Sequence, residues 1–382
     1  MVCPTMLKLI AMLGVFFHCL LLPAAEVTTA DAGPVVSTIT WDKEFRPIYP
    51  EAASYPRATA LSDGRVMVAF AHPTSVGKAI ACVFSSDSGR TWAGYRRICE
   101  HPTPVDLDNA FPLQLADGTM LVAYRRHDRK DHIFRIEVSS SSDGNQWAVR
   151  STVATGTQGI WEPFLLPLPD GKVQVYYASE EGCYPDQRIE MRTSTDGGMS
   201  WGTPVTVAEK KGSRDGMPGV VRLNGQELLV VFEAQDEPPF RFVIRGVRSS
   251  DLGRTWSATR QLIYRPNNPV AAPWAAGAPS IIRLPDGRLM VSFQSDENNA
   301  FVAGDRRRDP THSRYNYLWH THFAYVTSVD QGQSWTAPVH LLGGPDDPAN
   351  WNALQVLNDG TVLALSNHRG RIWVKVGTTD ET

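Results

Sequence analysis

The chain has 382 residues, 42% of them hydrophobic, with 37 basic and 40 acidic side chains and a formal charge of −3. Acids and bases are interspersed without a basic stripe, which argues against nucleic acid as a main partner. Glycine (30) and proline (27) are plentiful and evenly spread, as suits many short strands joined by turns.

At the N-terminus a single Lys8 precedes an apolar run from Leu9 to Leu22 and then small residues. That is the layout of a secretory signal over residues 1–25, with cleavage as late as residue 32, and it is too short to favour a membrane span. No later stretch approaches 18 apolar residues, so a secreted, extracellular protein without membrane attachment is expected. Cys82, Cys99 and Cys183 remain in the mature chain. The first two flank a turn almost symmetrically, and a disulfide between them fits an oxidising compartment.

Two repeats then alternate along residues 33–382. The first is a hairpin of strand, Asp-Gly or Asn-Gly turn, and strand. Its six copies are "YPRATALSDGRVMVAFA" (55–71), "NAFPLQLADGTMLVAYR" (109–125), "EPFLLPLPDGKVQVYYA" (162–178), "MPGVVRLNGQELLVVFE" (217–233), "APSIIRLPDGRLMVSFQ" (278–294) and "WNALQVLNDGTVLALSN" (351–367). The second is a turn following a third strand: "SSDSGRTW" (85–92), "SSDGNQW" (141–147), "STDGGMSW" (194–201), "SSDLGRTW" (249–256) and "SVDQGQSW" (328–335). Hairpin, third strand and a return strand make a four-stranded blade, and six blades close into an all-β six-bladed β-propeller without long exposed edges. The sixth blade lacks an Asp turn, and the N-terminal "STITW" (37–41) is expected to complete it. No linker divides the chain, so one domain is expected over 33–382.

The Ser-x-Asp-x-Gly-x-x-Trp turn resembles the Asp-box of the sialidase superfamily, and five copies at blade spacing imply a sialidase-like propeller. Physically the turn reads as scaffold: Asp ties up turn amides, Gly takes a positive φ and Trp packs between sheets. The second copy is one residue short, which suits a structural turn better than chemistry.

Inner strands begin, and second strands end, on the face opposite those turns. Aligning the hairpins gives a lead position occupied by Tyr55, Asn109, Glu162, Met217, Ala278 and Trp351. The trailing position holds Ala71, Arg125, Ala178, Glu233, Gln294 and Asn367. Only one blade leads with a carboxylate and only one trails with one. Glu162 and Glu233, on adjacent blades facing one cleft, form the constellation of a glycosidase; the plainer alternative is rim salt bridges to residues such as Arg125 or Arg241. Trp161 offers a face for sugar stacking or blade packing, and Tyr55, Trp274 and Trp351 are further mouth candidates. His72, His127, Asp108, Asp215, Asp296 and His368 fall near the same rim.

Arg57 loosely resembles the arginine of the sialidase Phe-Arg-Ile-Pro motif, but no arginine triad or first-blade acid is present, which favours a neutral sugar over an anionic one. The chain more closely resembles the fungal exo-α-1,5-L-arabinanases of glycoside hydrolase family 93, through "IWEPFLLPLPDG" around Glu162 and "VVFEAQDEPPF" around Glu233. That resemblance implies retaining hydrolysis of linear arabinan to arabinobiose, with Glu162 and Glu233 as the catalytic pair and an assisting tyrosine, Tyr317 or Tyr325. Arg57, Tyr55, Asn109, Trp161, Asp108, Arg125 and Trp351 are the expected substrate contacts. No cofactor or metal is expected, and the partner is the polysaccharide alone, met by a monomer. The alternatives are a sialidase or other exo-glycosidase of the superfamily, or a glycan-binding propeller without turnover. The insertion "SDENNAFVAGDRRRDPTHSRYNYLWH" (295–320) is a candidate wall closing one end of the cleft.

Overall fold

The structure is a computed structural model that describes residues 39–379 apart from 268–271 and 298. The chain divides into Met1–Ser37 and Thr38–Thr382. The expected signal segment falls in the first part, outside the described residues.

Six antiparallel sheets form the body. Five are built from four consecutive strands, as in the first blade, Ser54–Ala60, Val66–Pro73, Gly77–Ser85 and Ala93–Pro102. The sixth combines Ala349–Val356, Val362–His368 and Arg371–Thr379 with the N-terminal strand Ile39–Trp41, which pairs antiparallel with the last. N- and C-terminal strands thus share one blade and close the ring. The fold is the six-bladed sialidase-like propeller that the repeats imply.

Second strands are apolar on both faces because each blade is covered by a neighbour on either side. Six hydrophobic clusters result, one per blade junction. Phe70 and Val68 of blade 1 pack with Leu363 and Leu365 of blade 6, and Phe293 of blade 5 with Val231 of blade 4. A seventh, small cluster of Tyr55, Met217 and Ala278 with Trp351 fills the hub.

The five Asp turns are saturated with internal hydrogen bonds. In the first, Asp87 accepts from the backbone N–H of Arg90 (3.0 Å) and Thr91 (2.8 Å) and from the hydroxyl of Ser85 (2.7 Å). The short second copy shifts this by one residue: Asp143 accepts from Asn145 (2.8 Å) and Gln146 (3.0 Å). The turn glycine seats each blade on the one before it. Gly253 has φ +84°, and a Cβ there would lie 3.1 Å from Met191 of blade 3.

The Cys82–Cys99 disulfide that the sequence left open does not form; both thiols are free. Strand register explains this, since Cys82 stands opposite Arg96 and Cys99 opposite Ile80. Both sulfurs instead lie in the cluster between blades 1 and 2, where burial raises the thiols to about 12 and about 11 respectively.

Candidate active site

Every inner strand opens with the same distortion. All six lead residues have positive φ: Tyr55 59°, Asn109 57°, Glu162 46°, Met217 53°, Ala278 50° and Trp351 54°. Each sits in a β-bulge, where the lead residue and its successor oppose a single residue of the second strand. In blades 1 to 5 that residue is a fully buried aromatic: Phe70, Tyr124, Tyr177, Phe232 or Phe293. A left-handed conformation at non-glycine residues is uncommon and costs energy. Here the bulged ladder imposes it, since blade 6 has the same turn opposite Ser366 rather than a ring, and the bulge re-aims each lead side chain toward the propeller axis.

Trailing residues then reach across to the next blade. Glu233 Oε2 accepts from the N–H of Ala278 at 2.7 Å, and Gln294 Oε1 from that of Trp351 at 2.7 Å. Glu162, from the lead position of blade 3, accepts from the N–H of Met217 at 3.4 Å. Glu233 Oε1 lies 3.2 Å from where a Cβ on Gly216 would stand. The two carboxylates therefore flank the same Gly216–Met217 peptide link. Neither is in an ion pair among the described residues, so the rim salt-bridge alternative does not hold. Burial raises Glu162 to about 8, with the charge of Glu233 adding to it and Arg125 opposing. Burial likewise raises Glu233 to about 7, against the pull of the Ala278 N–H and Arg214.

Room for Glu233 comes from two glycines. A Cβ on Gly277 would lie 2.6 Å from its Oε2, so no larger residue fits without displacing the carboxylate. Tyr317 comes from the insertion and approaches the same carboxylate. Its hydroxyl would be 3.9 Å from that Cβ, and burial with the charge of Glu233 raises its pKa well above the tyrosine range. Of the two tyrosine candidates, Tyr325 is excluded by position: its hydroxyl accepts from Trp41 Nε1 (3.4 Å) in the junction of blades 5 and 6.

The other expected residues divide into three groups. Trp161 stands beside Glu162, with its Nε1 donating to Glu180 (3.0 Å), the Arg125 guanidinium 5.0 Å over its ring, and His127 against its edge at 4.7 Å. Arg125, Asp108 and Lys78 belong to one ion cluster: Arg125 reaches Asp106 at 3.0 Å and Asp108 at 3.6 Å, and Lys78 reaches Asp108 at 3.2 Å. Tyr55, Arg57 and Trp351 form the floor. Arg57 lies 3.8 Å over the Tyr55 ring and donates to the carbonyls of Pro56 and Trp351, both at 2.9 Å. Tyr55 and Arg57 with Phe111, Phe164 and Met217 leave only ≈ 10 Å³ at the hub. Asn109, also buried, lies within hydrogen-bonding reach of Tyr55.

Several rim candidates are structural instead. Asp215 is fully buried and held by Arg260 at 2.6 and 2.8 Å. His127 Nε2 bonds the Ile160 carbonyl (2.6 Å), and burial lowers its pKa to about 4. His72 pairs with Tyr95 (2.9 Å) and His368 with the Pro348 carbonyl (3.1 Å). Trp274, a mouth candidate by sequence, is only 2% exposed and packs behind Tyr315 and Tyr317. Asp296 accepts from Tyr315 (2.6 Å) and the Ala275 N–H (2.7 Å), anchoring the insertion that delivers Tyr317.

Arg214, Glu180 and Gln187 were not singled out by sequence. Arg214 Nη2 binds Glu180 (2.5 Å) and Gln187 (2.6 Å) and places one positive charge near both Glu162 and Glu233. They lie in connections outside the hairpin repeat, which the alignment does not reach. Gly216 and Gly277 did carry a signal: only blades 4 and 5 have glycine just before the lead position, on either side of the one trailing carboxylate.

A family model described as a BNR repeat-like domain matches residues 51–230 and 178–316, more than half of the chain. The chain belongs to the BNR repeat-like domain family. No curated protein matches it. Among solved structures, this BNR-repeat propeller resembles a Penicillium chrysogenum α-L-arabinanase complexed with arabinobiose at 20% identity and TM-score 0.62, covering 89% of this chain and 98% of the other. A Fusarium graminearum α-L-arabinofuranosidase of glycoside hydrolase family 93, also with arabinobiose, matches at 19% identity and TM-score 0.64, covering 89% and 96%. A Streptococcus pneumoniae sialidase matches at 11% identity and TM-score 0.62, covering 87% and 70%. At these identities the likeness speaks for the fold.

Proposed function

We propose that the protein is a retaining, exo-acting glycoside hydrolase that releases arabinobiose from α-1,5-L-arabinan. One observation carries this reading: two carboxylates from adjacent blades, without an ion-pair partner among the described residues, flank the Gly216–Met217 link. Glu233, whose Oε2 accepts the Ala278 N–H at 2.7 Å against 3.4 Å for the Met217 N–H on Glu162, is the better-held anion and is taken as nucleophile, with Glu162 as acid/base. Glu162 gives its proton to the glycosidic oxygen as that bond breaks, while a Glu233 oxygen bonds the anomeric carbon to give an arabinosyl ester. Water then attacks the same carbon, Glu162 takes its proton, and Glu233 leaves as carboxylate. Tyr317, beside Glu233, orients that carboxylate. Trp161 supplies a stacking face, with Asp108, Asn109, Arg125 and Trp351 around it and Tyr55 and Arg57 beneath.

A neutral furanoside fits the charges better than a sialoside. An anionic sugar needs free guanidinium forks, whereas Arg57, Arg125 and Arg214 are committed to carbonyls, Asp106 and Glu180 respectively. The solved arabinanase and arabinofuranosidase relatives bound to arabinobiose support the same substrate class. Incubation with linear arabinan and a sialoside, followed by proton NMR of the first product, tests the proposal. Arabinobiose of retained configuration is expected; sialic acid release, or binding without turnover, would overturn it.

Residues 1–25, or up to 32, are proposed to be a secretory signal, leaving residues 33–382 as one extracellular, monomeric catalytic domain. N-terminal sequencing of protein recovered from culture medium should begin after one of those positions.

A further inference from the structure

Tyr317–Trp319 is a single 3₁₀ turn that faces two ways. Tyr317 is directed toward Glu233, while Trp319, two residues on, is 45% exposed. The turn is fastened to blade 6. Asn350 donates to the Leu318 carbonyl (3.2 Å) and accepts from Thr321 (2.5 Å), and Thr321 also donates to the Ala349 carbonyl (3.0 Å). Trp319 is therefore fixed relative to the carboxylate pair by the same backbone that fixes Tyr317.

Beside that indole, on the same rim, is a cavity of ≈ 280 Å³ lined by Trp319, His320, Arg307, Asp346 and Pro348. His320 is only 2% exposed, stacks on Tyr315 at 5.4 Å, and has a buried Nε2 with no hydrogen-bond partner among the described residues. Arg307 and Asp346 are solvent-exposed, with charged ends outside any ion pair among the described residues.

We propose that this cavity is a second sugar subsite, holding a neutral saccharide ring of the same glycan chain at a distance from the scissile bond. An exposed indole takes the C–H face of a sugar ring, while one carboxylate and one guanidinium offer acceptors and donors to its hydroxyls. One positive and one negative lining group leave no net charge to select an anion. The volume lies just under the usual range of about 300–1,000 Å³ for drug-sized ligands, which suits a single ring. This inference rests on the glycosidase reading for its chain direction, but the cavity's chemistry stands apart from arabinan itself.

Hydrolysis of linear arabino-oligosaccharides of increasing length tests it with Trp319→Ala and Asp346→Asn. The wild type should gain in kcat/KM once the oligomer is long enough to reach the cavity. Both variants should lose about tenfold of that gain, through KM more than through kcat, and be close to wild type on the shortest cleaved substrate. Equal KM in variant and wild type at every length would overturn the subsite. If arabinan is not cleaved at all, the function proposed above fails, and calorimetry on Glu233→Gln with a panel of neutral and uronic oligosaccharides decides the subsite separately. Binding of a neutral glycan weakened about tenfold by Trp319→Ala supports it. Binding indifferent to Trp319, preference for a uronic chain, or binding of no glycan overturns it.

Discussion

The two faces of this propeller use the same chemical group in opposite ways. On one face, Asp87, Asp143 and Asp251 sit in near-identical turns, and hydrogen bonds from hydroxyls and turn amides pull their pKa values down to about 2. At Asp87 burial pushes the other way, and these bonds outweigh it. On the other face, Glu162 and Glu233 have no ion-pair partner among the described residues, each accepts one backbone N–H, and burial raises them to about 8 and about 7. A carboxylate tied by the same bonds in every copy of a repeat is holding the chain; one that occurs once, buried and without a countercharge, is a candidate for proton transfer. The difference teaches where to look in a repeat protein: at the positions where the pattern breaks.

Substitutions at this buried pair should have the largest effect. Glu162→Gln should lower kcat on arabinan by about 10²–10⁴-fold, the range for a lost general acid, and Glu233→Gln should abolish ester formation. Turnover at wild-type rate in either variant would place the chemistry elsewhere. Next comes the space around Glu233. Gly277→Ala puts a methyl 2.6 Å from Oε2, and a misplaced nucleophile should cost on the order of 10²-fold in kcat while circular dichroism and melting stay near wild type.

The pH dependence sharpens the same contrast. The proposed mechanism needs one glutamate ionised and the other protonated, so kcat/KM should be bell-shaped, with the pair titrating near 7 to 8 rather than near the ordinary 4.5. Glu162→Gln should remove the alkaline limb. Stability follows with the opposite sign to the Asp turns. Both glutamates are raised above the ordinary value of 4.5, so their contribution is full below that pH and is lost as pH rises through 7 to 8. Glu233→Gln should therefore melt higher than wild type at pH 9, with that advantage gone at pH 4.

The smallest effect belongs to the scaffold face. Gly253→Ala forces a Cβ into a φ of +84° and toward Met191, which should cost about 1–2 kcal/mol in chemical denaturation. Activity per folded molecule should not change. A comparable loss of kcat would mean that the two faces are coupled and that the contrast drawn between them is too simple.

The six-bladed propeller was legible in the sequence because its information is local and repeated. Asp-Gly turns, apolar second strands and Ser-x-Asp-x-Gly-x-x-Trp turns each encode a short piece of geometry, and ring closure follows from their number. Glu162 and Glu233 were legible for the same reason, as single departures from an aligned register. The bulge at every lead position left a weaker trace, a proline after four of the six residues. The left-handed turn is imposed by the bulged pairing with the second strand rather than by the lead residues themselves.

What the sequence by itself determined is the blade count, the closing N-terminal strand and the two glutamates that break the aligned register. Only the tertiary structure decided that Cys82 and Cys99 stand out of register, that Tyr317 rather than Tyr325 reaches Glu233, and that Trp274 is core while Trp319 is rim. It also decided that Arg214 sets its charge beside both carboxylates. The physical reason is the range of the interactions. Turn chemistry and strand alternation act over a few residues and are written in order along the chain. The insertion and the inter-blade connections take their positions from contacts with distant strands, as Asn350 holds Leu318 and Asp296 holds Tyr315, and no local pattern records those.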